Sequence, residues 1–540
     1  METNNTSTIK IITTYNKKMG YYYVHEDSHY WNKELRQTRH IRKTIGKKLT
    51  EDGDIIYNDR YKLEHPELKI KKKNSMPAVS TTKSIGEIKL LDSVITDLNL
   101  KKPLVTAFGN EKAAIIIDLA KYQICTEKAL SWAGSWADDK DISISDFSSQ
   151  SISKILANIT HDQQNIFYKH WMKLNKCDQG YFCFDSTNIA AYNTENDPLI
   201  DYGYTHGHIQ LPQANLAILS RQDTLIPVQS LLYNGSRHDS STIENLIEGL
   251  NKLELNNICL TLDKGYYSDK NIEAIIRSKN SVIIPIPKRV LWQRELIDSL
   301  KSKLNSLDAT IEVENDKGEV EEVYCVRKCI TRNNHRYYVY VVYNPQIRAD
   351  AEIRFRKLIS SCQKELLTSR LVESHSEYYN KYFEVNNTAK KGKRVIEKIP
   401  MTEDIKNSYA GYWCLLSNEK RPCIEIYNAY KGRNTAEIFY DTIKNDLNGD
   451  RVRSHSQKTF EGKMFITFIS LIILIRLKKL FAEKKSGNQK LNRIKSYRDL
   501  LLRMSNLTEV SFVGKYKPLY TTPNKMQREI LDKFGINWPN

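Results

Sequence analysis

The chain has 540 residues, 40% of them hydrophobic, with 82 Lys and Arg against 64 Asp and Glu and a formal charge of +18. That length rules out one ordinary domain and predicts several packed cores. A positive balance of this size, with a sequence pI near 9.2, points to a polyanionic partner, nucleic acid first.

Residues 1–80 are predicted to be a basic, strand-rich N-terminal domain. Lys10-Ile11-Ile12 and Tyr21-Tyr22-Tyr23-Val24 alternate like strands, and Lys33, Arg36, Arg39, Arg42, Lys43, Lys47 and Lys48 form a basic run, a candidate DNA-binding face. Within 60–83, Lys71-Lys72-Lys73-Asn74-Ser75, Pro77 and Ser80-Thr81-Thr82 have linker composition. Apolar residues three and four apart from Ile85 to about Trp171 predict a helical domain over 84–175. No signal-peptide core opens the chain. Its most apolar stretch, Met464 to Ile475, is shorter than the ~20 residues of a membrane helix, so a buried helix and no membrane partner are expected.

Over 176–289 the period changes. Tyr181-Phe182-Cys183-Phe184 is a short apolar run ending in Asp185. Ala214 to Leu219 and Leu225 to Tyr233 are further strands, and a helix follows from about Ser241 to Leu253. Ile258-Cys259-Leu260-Thr261-Leu262 ends in Asp263, and a helix at about Asp269 to Arg277 leads to a strand at Ser281–Pro285. Three strands, helix, strand, helix, strand is the order of a ribonuclease H-like α/β core. Residues 290–410 are predicted to be an insertion subdomain. Val323–Thr331 and Tyr337–Tyr343 form a hairpin around Asn333-Asn334, a long polar helix spans about Ala349 to Val372, and Lys390-Lys391-Gly392-Lys393-Arg394 is read as a surface loop. The second part of the core, 411–480, holds a strand at Tyr412–Leu416 and a helix at about Tyr427 to Asp446. Residues 481–540 are a basic C-terminal segment. Charge already accumulates over 451–500, with 13 Lys and Arg against Glu461, Glu483 and Asp499.

Two-metal phosphodiester chemistry needs oxygen ligands converging from separate elements, and Mg²⁺ prefers carboxylates and water. Asp185 and Asp263, each after an apolar run, suit that job, although an Asp after a strand also serves as a turn former. The segment holding Glu437 is more specific. Seven residues of a straight helix advance about 700°, close to two turns, so Tyr430, Glu437 and Lys444 would line one face with Arg433 beside them. There Glu437 can hold a cation while its neighbours grip phosphates.

Tyr430, Arg433, Glu437 and Lys444 fit the spacing Tyr-x2-Arg-x3-Glu-x6-Lys, and the chain thereby resembles the IS4-type insertion-sequence transposases. Phe184-Asp185-Ser186-Thr187 and Leu262-Asp263-Lys264-Gly265-Tyr266 resemble that family's two aspartate motifs. Gly203-Tyr204, Leu211-Pro212-Gln213 and Tyr233-Asn234-Gly235-Ser236-Arg237-His238-Asp239 resemble its IS1634 branch. The resemblance spans about 85–480. It implies a DDE triad of Asp185, Asp263 and Glu437 holding Mg²⁺, for which Mn²⁺ can substitute. It also implies DNA contacts by Tyr430, Arg433 and Lys444, with Trp413 as a candidate base-stacking ring or, more plainly, a core tryptophan. Double-stranded DNA, both element ends and target, would be the substrate. A homodimer would pair the ends, in the cytoplasm of a bacterium, associated with the nucleoid. Two other readings stay open: a nuclease of the same fold that does not rejoin strands, and a domesticated DNA-binding protein. His206, His208 and the His238-Asp239 pair are expected in loops, with Asp239 a helix cap, and Lys264 as a solvated lysine beside Asp263.

Overall fold

The computed structural model describes residues 9–32, 34–68, 78–193, 197–203, 211–237, 241–314, 318–388, 392–401, 404 and 408–539. His206, His208, His238, Asp239, Lys33 and the lysine run 71–73 lie outside them. The chain divides into two compact units, Met1–Ala78 with Phe512–Tyr516, and Val79–Ser511 with Lys517–Asn540.

The first unit is an antiparallel sheet of β1 (Lys10–Asn16), β2 (Tyr21–Asn32), β3 (Gln37–Lys48) and β4 (Ile56–Tyr57), paired in that order. Its core is small, built on Val24, Ile45 and Tyr61. Part of the predicted basic run is internally neutralised. Arg42 reaches Asp27 at 3.1 Å, Lys43 pairs with Glu64, and Lys47 lies 4.9 Å from the Tyr21 ring. Arg36 and Arg39 form no ion pair among the described residues.

In the second unit a strand at Val79–Ser84 precedes a run of helices that includes α1 (Gly86–Asp97), α2 (Lys101–Phe108), α3 (Asn110–Cys125), α4 (Ser149–Ala157) and α5 (His161–Leu174). Then come β5 (Gly180–Asn193), β6 (Pro212–Arg221), β7 (Ile226–Asn234), α6 (Ile243–Lys252), β8 (Ile258–Thr261), α7 (Asp269–Arg277) and β9 (Ser281–Pro285), the predicted order. β8 and β9 are buried at every residue, as central parallel strands covered on both faces are. β6 pairs antiparallel with β5 and β7 antiparallel with β6, while β8 and then β9 add in parallel on the other side of β5.

The region over 290–410 begins with α8 (Leu291–Leu304) and contributes β10 (Thr310–Glu314), β11 (Val320–Arg332) and β12 (His335–Tyr343). These strands extend the same mixed sheet, because β12 pairs with β15 (Tyr412–Ser417), which pairs with β9. The remainder, α9 (Pro345–Thr368), α10 (Ser376–Tyr382), β13 (Phe383–Thr388) and β14 (Gly392–Glu397), has its own small core of Ile359, Cys362, Leu366, Tyr379, Tyr382 and Phe383. Gly392-Lys393-Arg394, expected in a surface loop, begins β14. Its backbone is paired to β13, with Asn386 opposite Arg394.

After β15 come α11 (Cys423–Lys431), α12 (Thr435–Asp441), β16 (Arg451–Ser454) and α13 (Gln457–Lys485). The predicted buried helix Met464–Ile475 is the middle of α13, buried on all sides. No helix among the described residues is long and apolar enough to cross a membrane. α13 approaches α4 closely because position 462 is glycine. A Cβ there would stand 2.1 Å from the Leu156 carbonyl oxygen.

At one end of α13, Glu461 meets His161 at 3.2 Å. The hydrogen bond to Glu461 raises the His161 imidazole above its ordinary 6.5, against the opposing effect of burial. A raised folded-state value means that the pair's contribution is complete below the unfolded value and is lost as pH rises through the folded one. The melting-temperature gap between wild type and His161→Gln should therefore shrink as pH climbs above about 6.5. A gap that widens with pH would contradict the pairing.

Candidate active site

The two aspartates are brought together by strand register. β8 lies parallel to β5 with Ile258 opposite Gly180 and Thr261 opposite Cys183. The same offset separates Asp263 from Asp185, so each lies two residues beyond that last pair and on its face of the sheet. Parallel neighbours run ~4.8 Å apart. Asp185 is not at a strand end, as expected from sequence. It is interior to β5 and pairs with Ile218 of β6. The strand that ends is the neighbour β8, at Thr261, and β5 regains a partner on that side only where β16 joins Ala190–Asn193. The Asp185 carbonyl accepts a hydrogen bond from the Tyr440 hydroxyl. Asp263 follows β8 and caps a short 3-10 turn, its Oδ2 accepting from the Gly265 amide at 3.4 Å. It is thus a turn former as well as a site residue. Lys264, on that turn, is exposed.

Arg433 stands between the two carboxylates. Its Nη1 is 3.3 Å from Asp263 Oδ1 and 4.0 Å from Asp185 Oδ2. Those oxygens are therefore no farther apart than the two distances combined. The three side chains are partly buried, between 18% and 31% exposed. Burial works against the Arg433 charge, but Tyr430, Asp263 and Asp185 outweigh it and push the guanidinium up. The guanidinium carbon lies 5.7 Å from the centre of the Tyr430 ring.

The helix carrying Glu437 is not one straight α-helix. α11 ends at Lys431, Gly432–Asn434 form a 3-10 turn, α12 follows, and Thr442–Asp446 widen into a π turn. Each residue of a 3-10 turn advances ~120° rather than ~100°. Glu437 therefore lies roughly 40° past Tyr430, not 20° short of it, and the π turn shifts Lys444 again. The one-face expectation holds only loosely. Glu437 is exposed on α12, between Arg433 and Tyr440, both of which reach Asp185. It makes no hydrogen bond or ion pair among the described residues, and neither does the half-buried Lys444 side chain. Trp413 is in β15, packed on the cluster of Ile283, Leu415, Ile426 and Tyr427, its ring 6.3 Å from that of Tyr427.

Three anchors hold this helix against the sheet, and none is evident from the sequence. Gln222, just after β6, donates through Nε2 to Thr261 Oγ1 at 2.5 Å and to the Ala429 carbonyl at 3.0 Å. Cys183 Sγ donates to the Arg433 carbonyl at 3.4 Å. Arg421 donates to the Tyr181 hydroxyl at 2.7 Å and to Glu425 at 2.8 Å, with Tyr181 itself bonded to Glu425. The partners of Gln222 are 39 and 207 residues away, so no local pattern announces them.

The guanidinium of Arg433 occupies the space between Asp185 and Asp263. A closer trio of ligand atoms lies elsewhere: Cys362, Glu365 and His375, within 4.8 Å of one another. Its thiol and imidazole are unlike the oxygen set that Mg²⁺ takes. The His375 ring and the Tyr379 hydroxyl both bond Glu365, which accounts for the cluster as a hydrogen-bonded brace.

The chain belongs to the transposase DDE domain family, whose model matches residues 177–473 and so includes Asp185, Asp263 and Glu437. It is a DDE transposase, an enzyme of DNA transposition. No curated protein sequence matches the chain. Among solved structures, one match is the cryo-EM structure of a piggyBac transposase synaptic complex with hairpin DNA. It is 10% identical, covers 78% of this chain and 76% of that one, and has a TM-score of 0.32.

Proposed function

We propose that the chain is an IS4-type insertion-sequence transposase of the IS1634-like branch, with a ribonuclease H-like core and a catalytic triad of Asp185, Asp263 and Glu437. The observation that carries this reading is the register-matched pair Asp185 and Asp263 with Arg433 between them. The strand order β7-β6-β5-β8-β9 supports the ribonuclease H-like core. Asp185 and Asp263, joined by Glu437 from α12, would hold Mg²⁺, with Mn²⁺ as substitute. Such cations supply Lewis-acid polarisation of the phosphate and of the nucleophile.

The protein's own part is binding and charge. Arg433, released from the aspartates, and Lys444, which has no ion-pair partner among the described residues, grip the phosphates flanking the scissile bond, and Tyr430 adds a hydroxyl. Trp413 would stack on a base only by turning out of its cluster. Water attacks phosphorus and the P–O3′ bond breaks, freeing a 3′-hydroxyl at the element end. That hydroxyl then attacks a target phosphodiester, and the target's own 3′-oxygen leaves. Joining two ends calls for two copies of the chain, acting in the bacterial cytoplasm where the DNA is.

Arg433 and a divalent cation compete for the same carboxylates. Arg433→Gln should therefore tighten Mn²⁺ binding without DNA by about tenfold, one charge-assisted hydrogen bond's worth, in calorimetric titration. The same variant should weaken binding of end DNA. Unchanged Mn²⁺ affinity would overturn the placement of the cation.

A further inference from the structure

Where β16 pairs with the end of β5, the second unit has an open cavity of about 1020 Å³. Lys128, Lys154, Arg451, Arg453, His455 and Lys463 line it, and among the described residues no Asp or Glu does. Lys128, Lys154 and Arg453 form no ion pair among the described residues, and Arg451 has only Asp450, at 4.0 Å. β16 alternates exposed and buried residues, so Arg451 and Arg453 are both presented outward from one strand. Burial holds the Lys463 ammonium below its ordinary value, and its Nζ donates to the Arg453 carbonyl. Five lysines and arginines in one concavity repel each other unless an anion enters.

β5, the partner of β16 here, carries Asp185. From Asp185 to Tyr192, which also lines the cavity, β5 runs roughly 23 Å. That is the length of about seven base pairs of duplex.

We propose that this cavity is an accessory DNA site that holds the sugar-phosphate backbone of the bound duplex about seven base pairs from the scissile bond. The proposal rests on the transposase reading of Asp185 and Asp263. Phosphate contacts of this kind set position and register without reading sequence.

The test is binding of the full chain to a duplex of about 40 base pairs of arbitrary sequence, across a salt series. The triple variant Lys128→Ala, Lys154→Ala, Arg453→Ala should bind at least about tenfold more weakly, and its slope of log K against log salt should fall by about 2 to 3. Arg453→Lys alone should keep the wild-type slope. On the wild-type protein, acetylation of Lys128 and Lys154 should slow when the duplex is present, whatever the variants do to folding. An unchanged slope in the triple variant, or unchanged acetylation, overturns the cavity as a DNA site and leaves the active-site reading standing. Failure of the wild type to bind any duplex would overturn both.

Discussion

Asp185→Asn, Asp263→Asn and Glu437→Gln should each lower strand cleavage at the element end by at least about a thousandfold while leaving DNA binding within a few fold. Each substitution keeps shape and removes one negative ligand from a site whose charge stabilisation is worth several kcal/mol. The expected ranking follows the geometry. Asp185 and Asp263 share Arg433 and strand register, so losing either also leaves the guanidinium with one partner. Glu437 is exposed and makes no hydrogen bond or ion pair among the described residues, so Glu437→Gln should disturb the resting protein least while being equally inactive. Thermal melting beside the cleavage assay separates the two effects. An active Asp263→Asn protein would remove Asp263 from the triad.

The largest effect on stability should come from Phe465→Ala. Phe465 is 1% exposed in the N-terminal third of α13. Its ring lies 5.4 Å from Phe108, 5.5 Å from Phe167 and 6.2 Å from Tyr168. Truncating a phenylalanine that joins three aromatics from α2 and α5 leaves a cavity that cannot collapse, a loss of about 3–5 kcal/mol. It should appear as a lower urea midpoint with an unchanged slope. A midpoint equal to wild type would mean that α13 is not the pillar of the helical layer.

Much of this was legible in the sequence because it is local. The strands around Asp185 and Asp263, the hairpin at Asn333-Asn334 and the buried helix around Met464–Ile475 follow from period and turn chemistry. What the sequence withheld is set by pairing at a distance. Asp185 looks like a strand terminus because the apolar run stops at Phe184, yet β5 continues. Its later residues pair with β6 and then β16, so they need no apolar run to stay extended. The helix of Glu437 looks uniform because spacing carries no mark of a 3-10 or π turn. Gly432 sits close to Gln222: a Cβ there would lie 2.7 Å from the Gln222 amide oxygen, so that side chain would have to shift. The Gln222 and Cys183 contacts hold the helix at that close approach. Arg433, expected to face DNA, faces the aspartates in the free protein, a placement only their mutual register makes available.

The most direct test is a strand-transfer reaction with the wild-type chain, Mg²⁺, a supercoiled target and linear DNA carrying the inverted repeats that flank the gene. Cleavage at the repeat ends, followed by 3′ ends covalently joined to target, is predicted, and both should vanish in Asp185→Asn. Cleavage without joined products would instead make the chain a nuclease of the same fold, and the transposition chemistry assigned to Asp185, Asp263 and Glu437 would be wrong.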